Sequence, residues 1–330
     1  MSRFKNCITI INTRSGAREG SSVFASALQQ YLDKAGIIHH DNCVPEKNIV
    51  HALNLHKNTT DAIIVCGGDG TMSSVMNVLA ATPSHPLLTV PIVPVPCGLQ
   101  NSIATSLGVY SAERSVSAFV MGRVERIPLW KVSVNDKVVR YIASYIAVGA
   151  YAKCVQRLHD LDAVGDNYVA LPMVRGKYKL GSFYTAMRNE LVSCDVKIKR
   201  MKDSSLEIQS PIKLLIASQM PLQHRYYTLT PTATFKHSAL SVTYATAEAS
   251  RLRLWHLLSR EAAEGVIINE DGVSECSGVS ELEFTIAETS NNSENSLDVL
   301  MQLDGEPVHL SPGSKVLVQQ APCHVLFTTC

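Results

Sequence analysis

The amino-acid sequence predicts an α/β domain built on a parallel sheet over residues 1–126, followed by an antiparallel β-sandwich domain over 127–330. The last residues are expected to pack back on the first domain. Three observations lead there. Through the first third of the chain, apolar runs of strand length alternate with segments of helical spacing. Near Arg126 the pattern changes to short runs of period two with turn clusters between them. At 330 residues the chain is also long for one hydrophobic core.

In order, Cys7–Ile11 reads as a buried strand, and Asn12-Thr13-Arg14-Ser15-Gly16 as turn chemistry. Ser21 to Ala35 has helical spacing, with Phe24, Leu28 and Leu32 at intervals of four. Ile37-Ile38 predicts a second strand, Glu46 to Leu55 a helix, Ala62 to Val65 a third strand and Ser73 to Ala80 another helix. Pro91 to Pro96 is a strand whose prolines suit an edge or an end. The helix Ser102 to Leu107 follows. Beyond Arg126, strands are expected at 130–134, 138–142, 196–199, 212–216, 240–244, 282–286 and 315–318, with helices at 182–191 and 248–263 and a polar loop over 287–296.

A formal net charge of +1 leaves no global field to recruit nucleic acid. Nine scattered cysteines with no CxxC pair read as reduced thiols rather than as a disulfide framework or zinc site. The amino terminus lacks a signal-peptide core, and the longest apolar stretch, about Tyr141 to Ala152, is too short to span a bilayer. The expectation is a cytoplasmic protein with at most peripheral membrane contact. Two segments suit such contact: Arg251-Leu252-Arg253-Leu254-Trp255, which equally fits an ordinary amphipathic helix, and the cationic Lys197-Ile198-Lys199-Arg200-Met201-Lys202.

The run most informative about chemistry is Val65-Cys66-Gly67-Gly68-Asp69-Gly70-Thr71, set between a strand and a helix. Glycines let backbone N–H groups approach a ligand, and a helix N-terminus favours an anion at the same place. Asp69 then needs a reason to stand beside a phosphate, which Mg²⁺ or a proton to abstract would supply. No GxxxxGK[ST] P-loop is present, and no GxGxxG follows the first strand. The loop Pro96-Cys97-Gly98-Leu99-Gln100-Asn101-Ser102 ends the next strand, with Asn101 placed to N-cap the helix after it. Far downstream, Asp304-Gly305-Glu306 taken alone reads as a hairpin turn. Arg175-Gly176-Lys177-Tyr178-Lys179-Leu180-Gly181 offers cations for phosphates or is a solvated loop.

The Asn-x-x-Ser-Gly loop, the GGDGT turn with Asn77 downstream and the Pro-x-Gly-x-x-Asn loop, in this order, resemble the catalytic region of the diacylglycerol kinase and sphingosine kinase superfamily. Lys177 to Gly181 resembles the family's basic-aromatic-x-Leu-Gly element, and Asp304-Gly305-Glu306 its late Asp-Gly-Glu signature. The resemblance implies an α/β nucleotide domain of the phosphofructokinase and NAD kinase type, followed by a β-sandwich that takes the lipid. It implies ATP and Mg²⁺ as cofactors and a sphingoid base or diacylglycerol as substrate. By the same resemblance Asp69 and Glu306 are the catalytic acidic groups. Gly67, Gly68, Gly70 and Thr71 hold phosphate, Asn12, Ser15, Gly98 and Asn101 line the nucleotide cleft, and Lys177 and Asp304 complete the ATP side.

Asn101-Ser102-Ile103-Ala104 lacks the aspartate common in diacylglycerol and bacterial lipid kinases, so it resembles the sphingosine kinase form. The chain departs from the family pattern at Thr13, Ser74, Leu99-Gln100, Pro128, Tyr151 and 235–239, mostly on the acceptor's side. Two other readings stay open: a lipid- or nucleotide-binding regulatory protein with impaired turnover, and a kinase of a soluble substrate of the NAD kinase type.

Overall fold

The computed structural model describes residues 4–15, 20–43, 48–82, 84–98, 100–164, 171–201, 204–223, 227–259, 272–288 and 298–330, with the backbone alone at 158–164, 171–178 and 209–210. Two compact units divide it. The first comprises residues 1–129, 223–225 and 321–330; the second comprises 130–222 and 226–320.

In the first unit, strands β1 (Asn6–Ile11), β2 (Ile38–Cys43), β3 (Ala62–Gly67) and β4 (Ile92–Pro96) form a parallel sheet in the order β2-β1-β3-β4. β3 is buried along its whole length, and β1 everywhere but its first residue, as strands covered on both faces must be. Their near-continuous apolar runs follow from that. Among the described residues β2 pairs with β1 alone, and it carries His39, His40, Asp41 and Asn42. That polarity hid most of the strand from the sequence, which suggested only Ile37-Ile38.

The helical run after β1 consists of α1 (Gly20–Val23), a π-helical stretch (Phe24–Gln29) and α2 (Gln30–Lys34). It seats Phe24, Leu28 and Leu32 in a core shared with Cys7, Ile64 and Phe119. α3 (Ile49–Leu55) and α4 (Asp69–Ala80) follow, α4 beginning four residues before the expected start at Ser73. α5 (Ser102–Ser106) and α6 (Ala112–Met121) complete the unit. α6 was not expected from the sequence, yet its ends are well marked. Ser111 Oγ accepts from the Arg114 N–H at the start, and Gly122 takes φ 60° at the stop. At the chain's end, Phe327 pairs in parallel with Ile92 of β4, and the Thr329 N–H donates to the Arg123 carbonyl at 3.1 Å.

The second unit is antiparallel. β5 (Val124–Val134) enters it at Trp130 and pairs with β6 (Lys137–Ile142). β7 (Tyr145–Gly149), α7 (Ala150–Val164) and α8 (Leu171–Arg188) follow. Next come β8 (Val192–Arg200), β9 (Ser205–Ser218), β10 (Leu240–Thr246), α9 (Arg251–Leu258), β11 (Val273–Ile286), β12 (Val299–Leu303), β13 (Glu306–Leu310) and β14 (Lys315–Thr328).

Two long strands change partners along their length. β9 pairs with β8 up to Ile212, then with β7 and β10. β11 pairs with β10 up to Val279, then with β8 and β14. Such switches, aided by register shifts near Val279, let one strand serve two packed layers. Trp130, Val148, Ile198, Leu215, Phe284 and Val318 lie in the core they enclose. The opposite face of β7 and β9, with Tyr145, Leu214 and Ile216, is covered by α7, α8 and α9. Residues 175–181, read from the sequence either as cations for phosphates or as a solvated loop, lie within α8. α9 is shorter than the expected helix, and most of the polar stretch 287–296 lies outside the described residues. Among the described residues, no helix is long and apolar enough to cross a membrane.

Candidate functional site

Because β1, β3 and β4 are neighbours with parallel register, the loops leaving their carboxyl ends share one rim. The Asn12 N–H donates to the Cys66 carbonyl at 2.9 Å, and the Cys97 N–H to the Gly67 carbonyl at 3.0 Å. The Asn12 side chain turns both ends to use. Its Oδ1 accepts from the Arg14 N–H at 3.0 Å, closing the first loop on itself, and its Nδ2 donates to Thr71 Oγ1 at 2.8 Å. Thr71 stands in the first turn of α4, so the first loop is tied to the helix that follows the glycine turn.

Gly68 and Gly98 bring the second and third loops into contact. A Cβ on Gly98 would lie 2.4 Å from the Gly68 Cα, and one on Gly68 would lie 3.0 Å from the Gly98 Cα and 3.6 Å from Ser15 Oγ. Packing between loops is thus one reason for glycine at these positions. Asn101 takes φ 56° and returns its side chain to Gly98, accepting from its N–H at 2.9 Å and donating to its carbonyl at 2.6 Å. It therefore does not cap α5 with its side chain, contrary to expectation. Asp69 does that instead.

Asp69 Oδ2 accepts from the Ser102 N–H at 2.9 Å and Oδ1 from the Ile103 N–H at 3.0 Å. The buried carboxylate thereby satisfies amides at the start of α5 from 33 residues away. Burial pushes the Asp69 carboxyl up to about 6, against the two amide bonds, which pull it down. At the start of α4 itself, Gly68 is the N-cap in an extended conformation and has no side chain to offer the first turn. The N-terminus of a twelve-residue helix with a glycine at its N-cap, beside a glycine turn, fits a phosphate group of ATP. For Mg²⁺ the fit is different. Among the described residues no group of three or more His, Cys, Asp or Glu side chains could hold a metal ion, so Mg²⁺ would be held chiefly by phosphates and water.

The remaining expected residues belong to the second unit. Asp304 and Gly305 form the two-residue turn of the β12–β13 hairpin, with φ 49° and 89°, and Leu303 pairs with Glu306. The Asp304 carboxylate, expected at ATP, is fully buried: Oδ1 accepts from the Ser144 and Tyr145 N–H groups at 2.9 and 2.8 Å, and Oδ2 from Ala143 at 2.8 Å. Its place is in the framework before β7. Glu306 is half-buried at the start of β13. Lys177 lies in α8, with its side chain outside the described residues. Tyr151, where the family pattern has an acid, is buried edge-on against Tyr145 at 5.7 Å.

Residues 6–132 match the family model of the diacylglycerol kinase catalytic domain. The matched segment spans the three loops and the entry into β5. Two solved structures from Bacillus anthracis called diacylglycerol kinases resemble the whole chain. One has 15% identity and a TM-score of 0.67 and covers 100% of this chain and 97% of its own; the other has 13% and 0.65, with coverage of 100% and 98%. Yeast NADH kinase, solved with NADH, is 12% identical with a TM-score of 0.51, covering 99% of this chain and 84% of its own. At these identities the likeness is one of fold. No curated protein matches the sequence.

Within the matched segment, the structure gathers Asn12, Ser15, Gly67, Gly68, Asp69, Gly70, Thr71, Gly98 and Asn101 on one rim. Gly16 and Leu99 lie outside the described residues. Sequence reasoning missed the Ser102 and Ile103 amides as partners of Asp69, since main-chain donors carry no residue-type signal. It also missed the Asn12–Thr71 bond, which an Asn just after one strand and a Thr in the first turn of the helix after its neighbour could have suggested.

Proposed function

We propose that the protein is an ATP-dependent lipid kinase that transfers the γ-phosphate of ATP to a hydroxyl of a sphingoid base or a diacylglycerol. The observation that carries this reading is the glycine N-cap at the start of α4, flanked by the Asn12 and Gly98–Asn101 loops in a segment that matches the diacylglycerol kinase catalytic domain. Backbone N–H groups of the turn Gly67 to Thr71 would meet phosphate oxygens, while Asn12, Ser15, Gly98 and Asn101 line the nucleotide. ATP supplies the phosphoryl group, and Mg²⁺ arrives on its phosphates to offset their charge.

Asp69 has two tasks in this reading. It holds α5 against the glycine turn, and its remaining acceptor capacity takes the proton leaving the acceptor hydroxyl. A carboxyl near 6 suits a base working close to neutral pH. Glu306 is the second acidic group and Lys177 a phosphate contact. The sphingoid base is preferred because no aspartate follows Asn101.

The test is an acceptor screen with labelled ATP and Mg²⁺. Sphingosine or diacylglycerol in mixed micelles should take the label. Label in NAD instead would overturn the lipid reading and favour the soluble-substrate alternative, which the yeast NADH kinase fold motivates. Tyr151, buried where the family pattern has an acid, motivates the regulatory alternative; ATP or lipid binding without product in any arm would support it.

A further inference from the structure

Two cysteines meet beneath the rim that carries the glycine turn. Cys66 is the next-to-last residue of β3, and Cys97 directly follows β4. Cys66 stands opposite Val95, so Cys97 lies two residues further along on the same face of the sheet. Both pack with the core that Phe24 and Leu28 fill, Cys66 fully buried and Cys97 half-buried.

The two thiols also act on each other. Burial pushes the Cys66 thiol well above its ordinary value, and among neighbouring groups Cys97 adds most to the rise, ahead of Asp41 and Cys43. Other raised thiols have different neighbours: Asp61 at Cys7, Asp195 at Cys194, Arg200 and Glu275 at Cys276. Cys43 is exposed at the end of β2, with β1 between it and Cys66.

Adjacent strands lie about 4.8 Å apart and two residues advance about 6.6 Å along a strand, so Cα atoms on such a diagonal are about 8 Å apart. A relaxed disulfide spans about 4.4–6.8 Å between Cα atoms. To form one, Cys97 must move toward β3 by about 1–2 Å. The third loop has no room to follow. Gly98 is already in main-chain contact with Gly68, where an added Cβ would stand 2.4 Å from the Gly68 Cα. Asn101 is bonded to Gly98, and Asp69 to the Ser102 and Ile103 amides, so the movement strains the whole fastening.

We propose that Cys66 and Cys97 form a peroxide-sensitive switch whose disulfide lifts the third loop off the glycine turn. Cys97, at the rim, gives its sulfur to hydrogen peroxide. An S–O bond forms as the O–O bond breaks, leaving a sulfenic acid and one water. The Cys66 sulfur then displaces the sulfenic oxygen, which departs as a second water with the Cys66 proton while the S–S bond forms. Both electrons taken by the peroxide come from the thiol pair, and a dithiol reductant returns them. Cys66 suits the second step alone, because a buried, raised thiol is a poor target for an oxidant. The effect on ATP rests on the kinase reading; the bond and the loop movement do not.

The test is titration of the full chain with hydrogen peroxide, blocking of the remaining thiols with N-ethylmaleimide, and mass mapping of a digest made without reductant. A peptide pair joined through Cys66 and Cys97 is expected, and dithiothreitol should remove it. With the link formed, hydrogen exchange at the Ser102 and Ile103 amides should rise about tenfold or more, and ATP affinity should fall by a similar factor. Cys97→Ser keeps the main-chain bond to Gly67, so it should show neither change under peroxide and ordinary exchange before it. Cys43→Ser should respond as the wild type does. Three results would overturn the proposal: no link at a peroxide level that oxidises the exposed Cys43, a link from Cys97 to another cysteine, or a link with exchange unchanged. If link and exchange respond but the reduced protein binds no ATP, the switch stands and the kinase reading fails.

Discussion

Gly68 and Gly98 meet main chain to main chain, so that a Cβ on Gly98 would stand 2.4 Å from the Gly68 Cα. Neither partner has a flexible side chain that could yield. Gly98→Ala must therefore push the third loop off the glycine turn, stretching the Asp69 bonds to α5. The expected cost is about 1–3 kcal/mol of stability with loss of ATP affinity. Gly181→Ala is the contrasting case, since nothing lies within 4 Å of its added Cβ and it sits inside α8. That change should stabilise by about 0.5–1 kcal/mol. Urea unfolding of both variants checks the pair.

Two opposed effects act on Asp69, and pH tells which one wins. Burial raises the folded-state value from 3.8 to about 6, so between these values the folded protein holds the proton more tightly than the unfolded chain. The stability Asp69 contributes is then full below the unfolded value and lost as pH rises through about 6. Relative to Asp69→Asn, which does not titrate, the wild type should lose up to about 3 kcal/mol between pH 4 and 7. Unfolding curves at several pH values measure the difference. A wild-type advantage that instead grows with pH would mean that the Ser102 and Ile103 amides outweigh burial.

Asn12 Nδ2 and Thr71 Oγ1 form a bond that crosses 59 residues of sequence and ties the first loop to α4. A double-mutant cycle with Asn12→Ala and Thr71→Val should return a coupling of about 1 kcal/mol. In ATP titration the two single variants should weaken binding to a similar degree, because each frees the same loop. A coupling near zero would mean that Asn12 acts through Arg14 alone.

These relationships mark how far the sequence could be read. β1 and β3, buried on both faces, announce themselves as apolar runs, and the glycine turn between strand and helix locates the rim. The Asp-Gly pair in the β12–β13 turn meets the positive φ that a two-residue hairpin demands. β2 was largely invisible because an edge strand can carry His39, His40 and Asp41. α8 was expected only from Ser182, because Leu180, Phe183 and Tyr184 face outward and so do not report a buried stripe. Asn101 fits the N-cap residue preference, but the long-range Asp69 carboxylate had already taken the amides it was expected to cap.

Asp304 serves as the harder test of a residue's role, because the family resemblance puts it at ATP while its carboxylate is turned into the second unit. Three N–H groups, at Ala143, Ser144 and Tyr145, depend on it. Asp304→Ala leaves all three buried donors without their acceptor and places alanine at φ 49°, so a loss of about 3 kcal/mol or more is expected. Asp304→Asn tolerates that backbone and keeps one oxygen, and should cost less than the alanine change. If the role is framework alone, Asp304→Asn should bind ATP with unchanged affinity once enough folded protein is present. Calorimetric titration decides the matter: a fall in affinity at full folding would return Asp304 to the nucleotide, since a purely structural carboxylate acts on the folded fraction and not on the affinity of the folded molecule.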